Sequence, residues 1–198
     1  MRPPSTIIVQ WGVEKHMLKR MHYFLDPPSK INPNISVIAV RDDAGGVLGS
    51  IIRKEPKEGM SVDEARYLFE DSDGNRVGGI LAGRADRPNT YDIIGPLREL
   101  RGRLAGVPVN VTGAPIKMGA ITLQDISGKT IAISEAFEPG LEGKFEHIRK
   151  KGLKIKTMNG STLAVLKKAM SSDRLQIDLH SSTADRLAIL ALITVVVL

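Results

Sequence analysis

The sequence predicts a mainly β fold, a closed antiparallel barrel of about 10–12 strands built from hairpin repeats and enclosing a hydrophobic C-terminal α-helix. Two observations carry this expectation. A short pattern recurs along the chain: Asp or Thr, two residues, Gly, two residues, an aliphatic residue, then Gly or Ala. The last twelve residues, Leu187–Leu198, contain no charge and one polar side chain, Thr194. Twelve apolar residues are too few to cross a bilayer, which takes ~20 in a helix. They are also too apolar to be left in water.

The repeats are Asp42…Gly45…Leu48-Gly49, Asp71…Gly74…Val77-Gly78, Asp125…Gly128…Ile131-Ala132 and Thr157…Gly160…Leu163-Ala164. A weaker copy, Glu99…Gly102…Ala105-Gly106, fills the gap. Each reads as a β-hairpin. Apolar or alternating residues precede the Asp, as in Val37–Val40, Tyr67–Phe69, Ile121–Leu123 and Leu153–Lys156. An apolar pattern resumes after the Gly, as in Val47–Ile52, Val77–Leu81, Thr130–Ile133 and Thr162–Leu166. The glycine supplies the positive φ of a tight turn, and the Asp side chain hydrogen-bonds the turn backbone. The small residue after the aliphatic one eases close packing. Five such units make about ten strands, and a sheet of that size removes its edges by closing.

A barrel this wide cannot be filled by strand side chains alone, and the apolar C-terminus is the natural plug. Ser182-Thr183-Ala184-Asp185 has the form of a helix N-terminus with a capping box. The pattern predicts helix over 183–194, within a central segment of about 183–198. Val195-Val196-Val197 favours strand by propensity, because β-branched residues are stiff at χ1.

The rest of the composition bounds the class. The chain has 198 residues, enough for a single domain over 1–198, with 42% hydrophobic and 25% charged residues. Nineteen glycines and eleven prolines argue for many turns rather than a helical bundle. There is no cysteine, which excludes disulfides, thiol catalysis and thiolate metal sites. No signal-peptide pattern opens the chain, so a cytoplasmic location is the default expectation. The net charge of +6 favours acidic partners.

The hairpins Phe69-Glu-Asp-Ser-Asp-Gly74-Asn-Arg-Val77-Gly and Leu123-Gln-Asp-Ile-Ser-Gly128-Lys-Thr-Ile131-Ala carry a resemblance, as do the end segments Asp173–Leu179 and Asp185–Ile193. Over roughly 35–198 the chain resembles the tubby C-terminal-like superfamily, in its phospholipid scramblase and LURP-one-related branch. The resemblance implies a twelve-stranded barrel around a central C-terminal helix. Two further strands are then expected in the N-terminal third, around Thr6–Trp11 and Met21–Leu25. It also implies lipid or phosphoinositide binding. The calcium cluster proposed for scramblases is not matched, because the linker His180–Asp185 holds one carboxylate and calcium takes six to eight oxygens. That branch's palmitoylated cysteines are missing too.

The densest positive cluster contains Arg149, Lys150, Lys151, Lys154 and Lys156, with Lys167 and Lys168 brought near if 153–157 and 162–168 pair. Lys154 and Lys156 alternate with Leu153 and Ile155, which places the lysines on one strand face. These seven residues are the candidate anionic-lipid site. A second basic region, Arg84, Arg87, Arg98, Arg101 and Arg103, lacks the aromatics that stack nucleic-acid bases. Asp178, His180 and Ser182 lie close in sequence without the strand-turn-helix elbow of a nucleophile, and read as a polar strand end. Glu135, Glu138, Glu142 and Glu146 read as a solvated loop or short helix. No histidine has metal-ligand spacing. No catalytic residue, metal or cofactor is expected. The expected function is a monomeric, non-enzymatic module. It docks on an anionic membrane surface or a protein partner, and is peripheral where it meets a membrane. The alternatives are a scramblase-like protein whose terminal helix enters the membrane and, more remotely, a nucleic-acid-binding barrel.

Overall fold

The computed structural model describes residues 16–55, 65–81, 90–110, 117–135, 144–181 and 185–198. After a 3-10 turn (His16–Leu18) come β1 (His22–Leu25), β2 (Ser29–Asn32), β3 (Ile35–Arg41), β4 (Val47–Lys54), β5 (Ala65–Asp71), β6 (Arg76–Leu81), β7 (Thr90–Ile94), β8 (Leu100–Asn110), β9 (Lys117–Gln124) and β10 (Thr130–Ser134). Helix α1 (Lys144–Lys151) precedes β11 (Leu153–Thr157), β12 (Thr162–Lys168) and β13 (Leu175–Leu179), and α2 (Arg186–Val197) ends the chain. From β3 to β13 each strand pairs antiparallel with the next.

β1 closes the ring. It pairs with β13, from His22↔Asp178 to Leu25↔Leu175, and with β3 through Phe24↔Arg41 and Leu25↔Val40. β2 continues along the same edge of β3, from Ser29↔Val37 to Asn32↔Ile35. Asp26-Pro27-Pro28 interrupts the line, because proline has no N–H to donate to a ladder. β1 and β2 therefore share one position, and thirteen strands make a twelve-stranded barrel. The expected strand at Met21–Leu25 is β1. The one at Thr6–Trp11 lies outside the described residues. The twelfth position is completed by β13, at the other end of the chain.

Four of the five hairpins turn where expected. Gly45, Gly74, Gly128 and Gly160 have φ of 83°, 78°, 85° and 87°, and each donates its N–H to the carbonyl of Asp42, Asp71, Asp125 or Thr157 at 3.0 Å. The fifth turn is displaced from its expected position. It spans Gly95–Glu99, with Arg98 at φ 66° in the place of the glycine. The acceptor has changed ends. In the other turns the first residue's side chain takes the backbone N–H groups, as Asp125 Oδ1 does from Ser127 and Lys129. Here Leu97 donates to Glu99 Oε2 at 3.0 Å. The Glu99 carboxylate lies over Gly95, where a Cβ would collide with it.

This displacement gives Gly102 another role. Each of the five repeat hairpins has a bulge beside its turn, at Leu48, Val77, Arg101, Ile131 and Leu163. The small residue that follows then pairs with a large one: Gly49↔Val40, Gly78↔Phe69, Gly102↔Ile93, Ala132↔Leu123 and Ala164↔Ile155. All five large partners are buried in the core. A bulge increases local twist and bends its strand, which helps the sheet curl, and the small partner leaves room inside.

α2 fills that room. Leu187 to Val197 are all buried. Asp185 caps the helix by accepting from Ala188 N at 3.2 Å, which corrects the expected cap at Ser182. Val195–Val197 are helical, since packing on every side overrides a propensity cost of a few tenths of a kcal/mol each. Thr194 Oγ1 donates to Leu190 O at 2.8 Å, so the one polar side chain is satisfied within the helix.

Two predictions follow the packing. At Gly78 a Cβ would stand 2.8 Å from Leu187 Cδ1 and 2.9 Å from Ile94 O. Gly78→Val is expected to lower stability by ~1–3 kcal/mol. Gly119, with no atom within 4 Å of its Cβ position, is expected to accept Ala without loss; urea midpoints compare the two. Gly95→Asp, which places the common first residue in this turn against the Glu99 carboxylate, is expected to destabilise by about 1 kcal/mol or more. Adding Glu99→Asn is expected to recover most of it, with a coupling within ~0.5–3 kcal/mol in a double-mutant cycle.

Candidate functional site

With α2 in the lumen, little interior space remains. A void of about 10 Å³ lies between Tyr23, Ile177, Leu179 and the α2 residues Ile189, Leu190 and Ile193, room for about one water. Among the described residues no group of three or more His, Asp or Glu is placed to hold a metal. Among the described residues, the outer face and the barrel ends offer the surfaces a ligand could meet.

On the outer face, β11 and β12 pair as expected, with Leu153↔Leu166 and Lys154↔Val165. Leu153 and Ile155 are buried, and Lys154 is exposed on the outside. α1 buries Phe145 and Ile148 and ends at Gly152, whose N–H donates to Ile148 O at 2.7 Å with φ 76°. Lys150 and Lys151 are exposed at this helix end, and Lys168 is exposed at the adjoining end of β12. Three further members of the cluster are held in ion pairs. Arg149 reaches Glu146 at 2.6 Å and Asp173 at 2.8 Å. Lys156 pairs with Glu135 at 3.2 Å, and Lys167 with Asp178 at 2.6 Å. Among the described residues, Lys151, Lys154 and Lys168 form no ion pair.

The second basic region is also tied down in part. Arg101 pairs with Asp185 at 3.1 Å, at the start of α2, and Arg103 with Asp92 at 3.0 Å; Arg84 and Arg87 lie outside the described residues. Asp178 bonds with partners other than His180, and Ser182 lies outside the described residues. Lys167 Nζ and Gln176 Nε2 donate to it, the latter at 2.7 Å, and His22 Nδ1 lies 3.0 Å away. Burial pushes its carboxyl up, but the hydrogen bonds from Lys167, Gln176 and His22 outweigh this and hold it at about 2.

The barrel ends differ. One end holds the C-terminus of α2. There Lys144 donates to Val195 O at 3.2 Å and Arg53 to Leu198 O at 3.5 Å. Burial, and then the Arg53 and Arg66 guanidinium groups, push the Lys144 ammonium below its ordinary value. The other end holds the five hairpin turns. Three that are consecutive around the ring, β7–β8, β9–β10 and β11–β12, carry Leu97, Ile126 and Met158, which are 80%, 69% and 60% exposed. Leu100 and Ile131 are exposed just behind them. The two remaining turns carry Asp42, Asp43, Asp71 and Asp73.

These turn-tip residues are the feature that sequence reasoning missed. The signal was present: Ile126 and Met158 each follow the turn's first residue, where the turn geometry asks for nothing apolar. The chain matches no family model, no curated protein and no solved structure.

The Asp178 network has a pH consequence. A carboxyl at about 2 when folded and near 3.8 when unfolded adds stability that is fully present above about pH 5. That stability is lost as pH falls through about 2, and amounts to ~2 kcal/mol. Asp178→Asn is expected to flatten this part of the acid limb in stability measured from pH 6 to pH 2.

Proposed function

We propose that the chain is a non-enzymatic binding module that docks on anionic phospholipid or phosphoinositide-bearing membrane surfaces, and that it belongs with the tubby-like barrels of the scramblase and LURP-one-related branch. The observation that carries this reading is the division of labour between lumen and surface. The barrel interior is occupied by the chain's own helix, while the outer face from the end of α1 down β11 presents Lys150, Lys151, Lys154 and Lys156, with Lys168 beside it.

The chemistry suits lipid head groups. Each Lys or Arg close to an anionic bilayer contributes ~1 kcal/mol, and the effect fades within a Debye length of ~8–10 Å. Lysine is a compact point charge on a flexible stem, suited to head groups that are mobile. The barrel-and-helix architecture agrees with what the tubby-like resemblance implies, and so supports the assignment. The alternative in which α2 itself enters a bilayer asks more of the molecule. Eleven buried residues would have to leave the barrel, and twelve helical residues span only ~18 Å of a ~30 Å core. No helix among the described residues is long and apolar enough to cross a membrane.

Co-sedimentation with vesicles tests the reading. Association is expected with phosphatidylcholine vesicles containing phosphatidylserine or a phosphoinositide, and is expected to weaken as salt rises from ~0.05 to ~0.5 M. Pure phosphatidylcholine vesicles should leave the protein in the supernatant. Equal partition into both kinds of vesicle, or into neither, would sink it.

A further inference from the structure

We propose that the barrel meets the anionic bilayer turn-end first, with Leu97, Ile126 and Met158 inserted beneath the head groups. This rests on the membrane-docking reading and names the surface that performs it.

Three observations converge. Among the described residues, eight large apolar side chains are exposed, and six of them (Val47, Leu97, Leu100, Ile126, Ile131 and Met158) lie at this end. A barrel end that faced only water would have no reason to gather them. Five of the six sit on the three consecutive hairpins β7–β8, β9–β10 and β11–β12, so they form one arc rather than a scatter. The charges at this end are sorted in the same way. On the apolar arc the acids Glu99 and Asp125 are matched by Arg98 and Lys129. Asp42, Asp43, Asp71 and Asp73 occupy the two turns outside the arc. An anionic surface repels the acidic side more strongly than the balanced one, which tilts the barrel onto its apolar edge.

The arc also joins the basic face. Met158 follows β11 directly, so Lys156 and Lys154 lie about 7 and 13 Å above it at ~3.3 Å per residue. The head-group layer is ~6 Å deep and the field reaches a further ~8 Å. With Met158 inserted, both lysines stand within reach of lipid charge. Lys151 and Lys168 belong to the opposite end of this hairpin and add only the weaker, longer-range part of the attraction. The opposite end has its own exposed residue, Met170, in the β12–β13 turn, so the two ends make opposing predictions.

The absence of cysteine makes a direct test clean. Single Ile126→Cys, Met158→Cys and Met170→Cys variants are labelled with a polarity-sensitive fluorophore and mixed with phosphatidylserine-containing vesicles. The probe at 126 and 158 is expected to brighten and shift to the blue, and the probe at 170 to stay unchanged. Leu97→Ser/Ile126→Ser/Met158→Ser is expected to weaken co-sedimentation at least tenfold with an unchanged melting temperature. Met170→Ser, at the opposite end, is expected to stay within twofold. A response at 170 alone would overturn turn-end insertion and leave membrane docking standing. Co-sedimentation with no response at any position would show binding without insertion, with the same consequence. If the unlabelled protein does not sediment with anionic vesicles, the membrane reading and this inference fall together.

Discussion

The constraint on which the structure depends is that a twelve-stranded barrel is wider than its own inward side chains can fill. α2 answers it. A helix is about 10–12 Å across with its side chains, and a sheet that admits one has to give way at defined places. The alternation of small and large residues beside every turn does this. Gly49, Gly78, Gly102, Ala132 and Ala164 stand opposite Val40, Phe69, Ile93, Leu123 and Ile155, so each pair adds one large side chain to the core instead of two. At Gly78 the helix comes closest, with Leu187 where a Cβ would be. The five bulges serve the same end, since each adds twist to a sheet that has to close.

The helix is also fixed by charge at both ends. Asp185 caps its N-terminus and reaches Arg101 from the β7–β8 hairpin. Arg186 donates to the carbonyls of Leu18 and Arg20 at 3.1 and 2.7 Å, which ties the N-terminal segment to the same point. At the far end Lys144 and Arg53 donate to the last carbonyls, where the helix dipole favours cations. Lys144 belongs to α1, so the only other α-helix among the described residues is docked through the C-terminus of the central one. Burial of this ammonium beside two guanidinium groups lowers its pKa, and the carbonyl contact offsets part of that cost.

Much of the fold was legible because hairpin chemistry is local. Asp71-Ser72-Asp73-Gly74-Asn75 states its turn in five letters. The fifth turn was misplaced because its parts are exchanged: an arginine adopts the left-handed conformation and a glutamate at the end replaces an aspartate at the start. Gly102 then looked like a turn residue and is a packing residue. The terminal valines misled in the opposite direction, since propensity describes an isolated segment and Val195–Val197 are surrounded. The basic site was less legible still. A run of cations in sequence says nothing of the acids that meet it in space. Asp173, Asp178 and Glu135 reach Arg149, Lys167 and Lys156 across strand pairings that local pattern cannot show.

A fold that seals its interior and pairs its strands around a full ring leaves few places for recognition. Among the described hairpins, a turn needs a side-chain acceptor at its first or last position and a residue tolerant of positive φ at its fourth. Its second position makes no such demand, and its third does so only through Ser127 and Asn159, which hydrogen-bond within their turns. Two of the five turns use that freedom for Asp43-Ala44 and Ser72-Asp73, as a solvated loop would. The other three place Leu97, Ile126 and Met158 there. The core has no use for these side chains, and water is the environment they suit least. Residues that the fold does not require and the solvent does not favour are the strongest indication of what the surface meets, and in this chain they share one arc of one end.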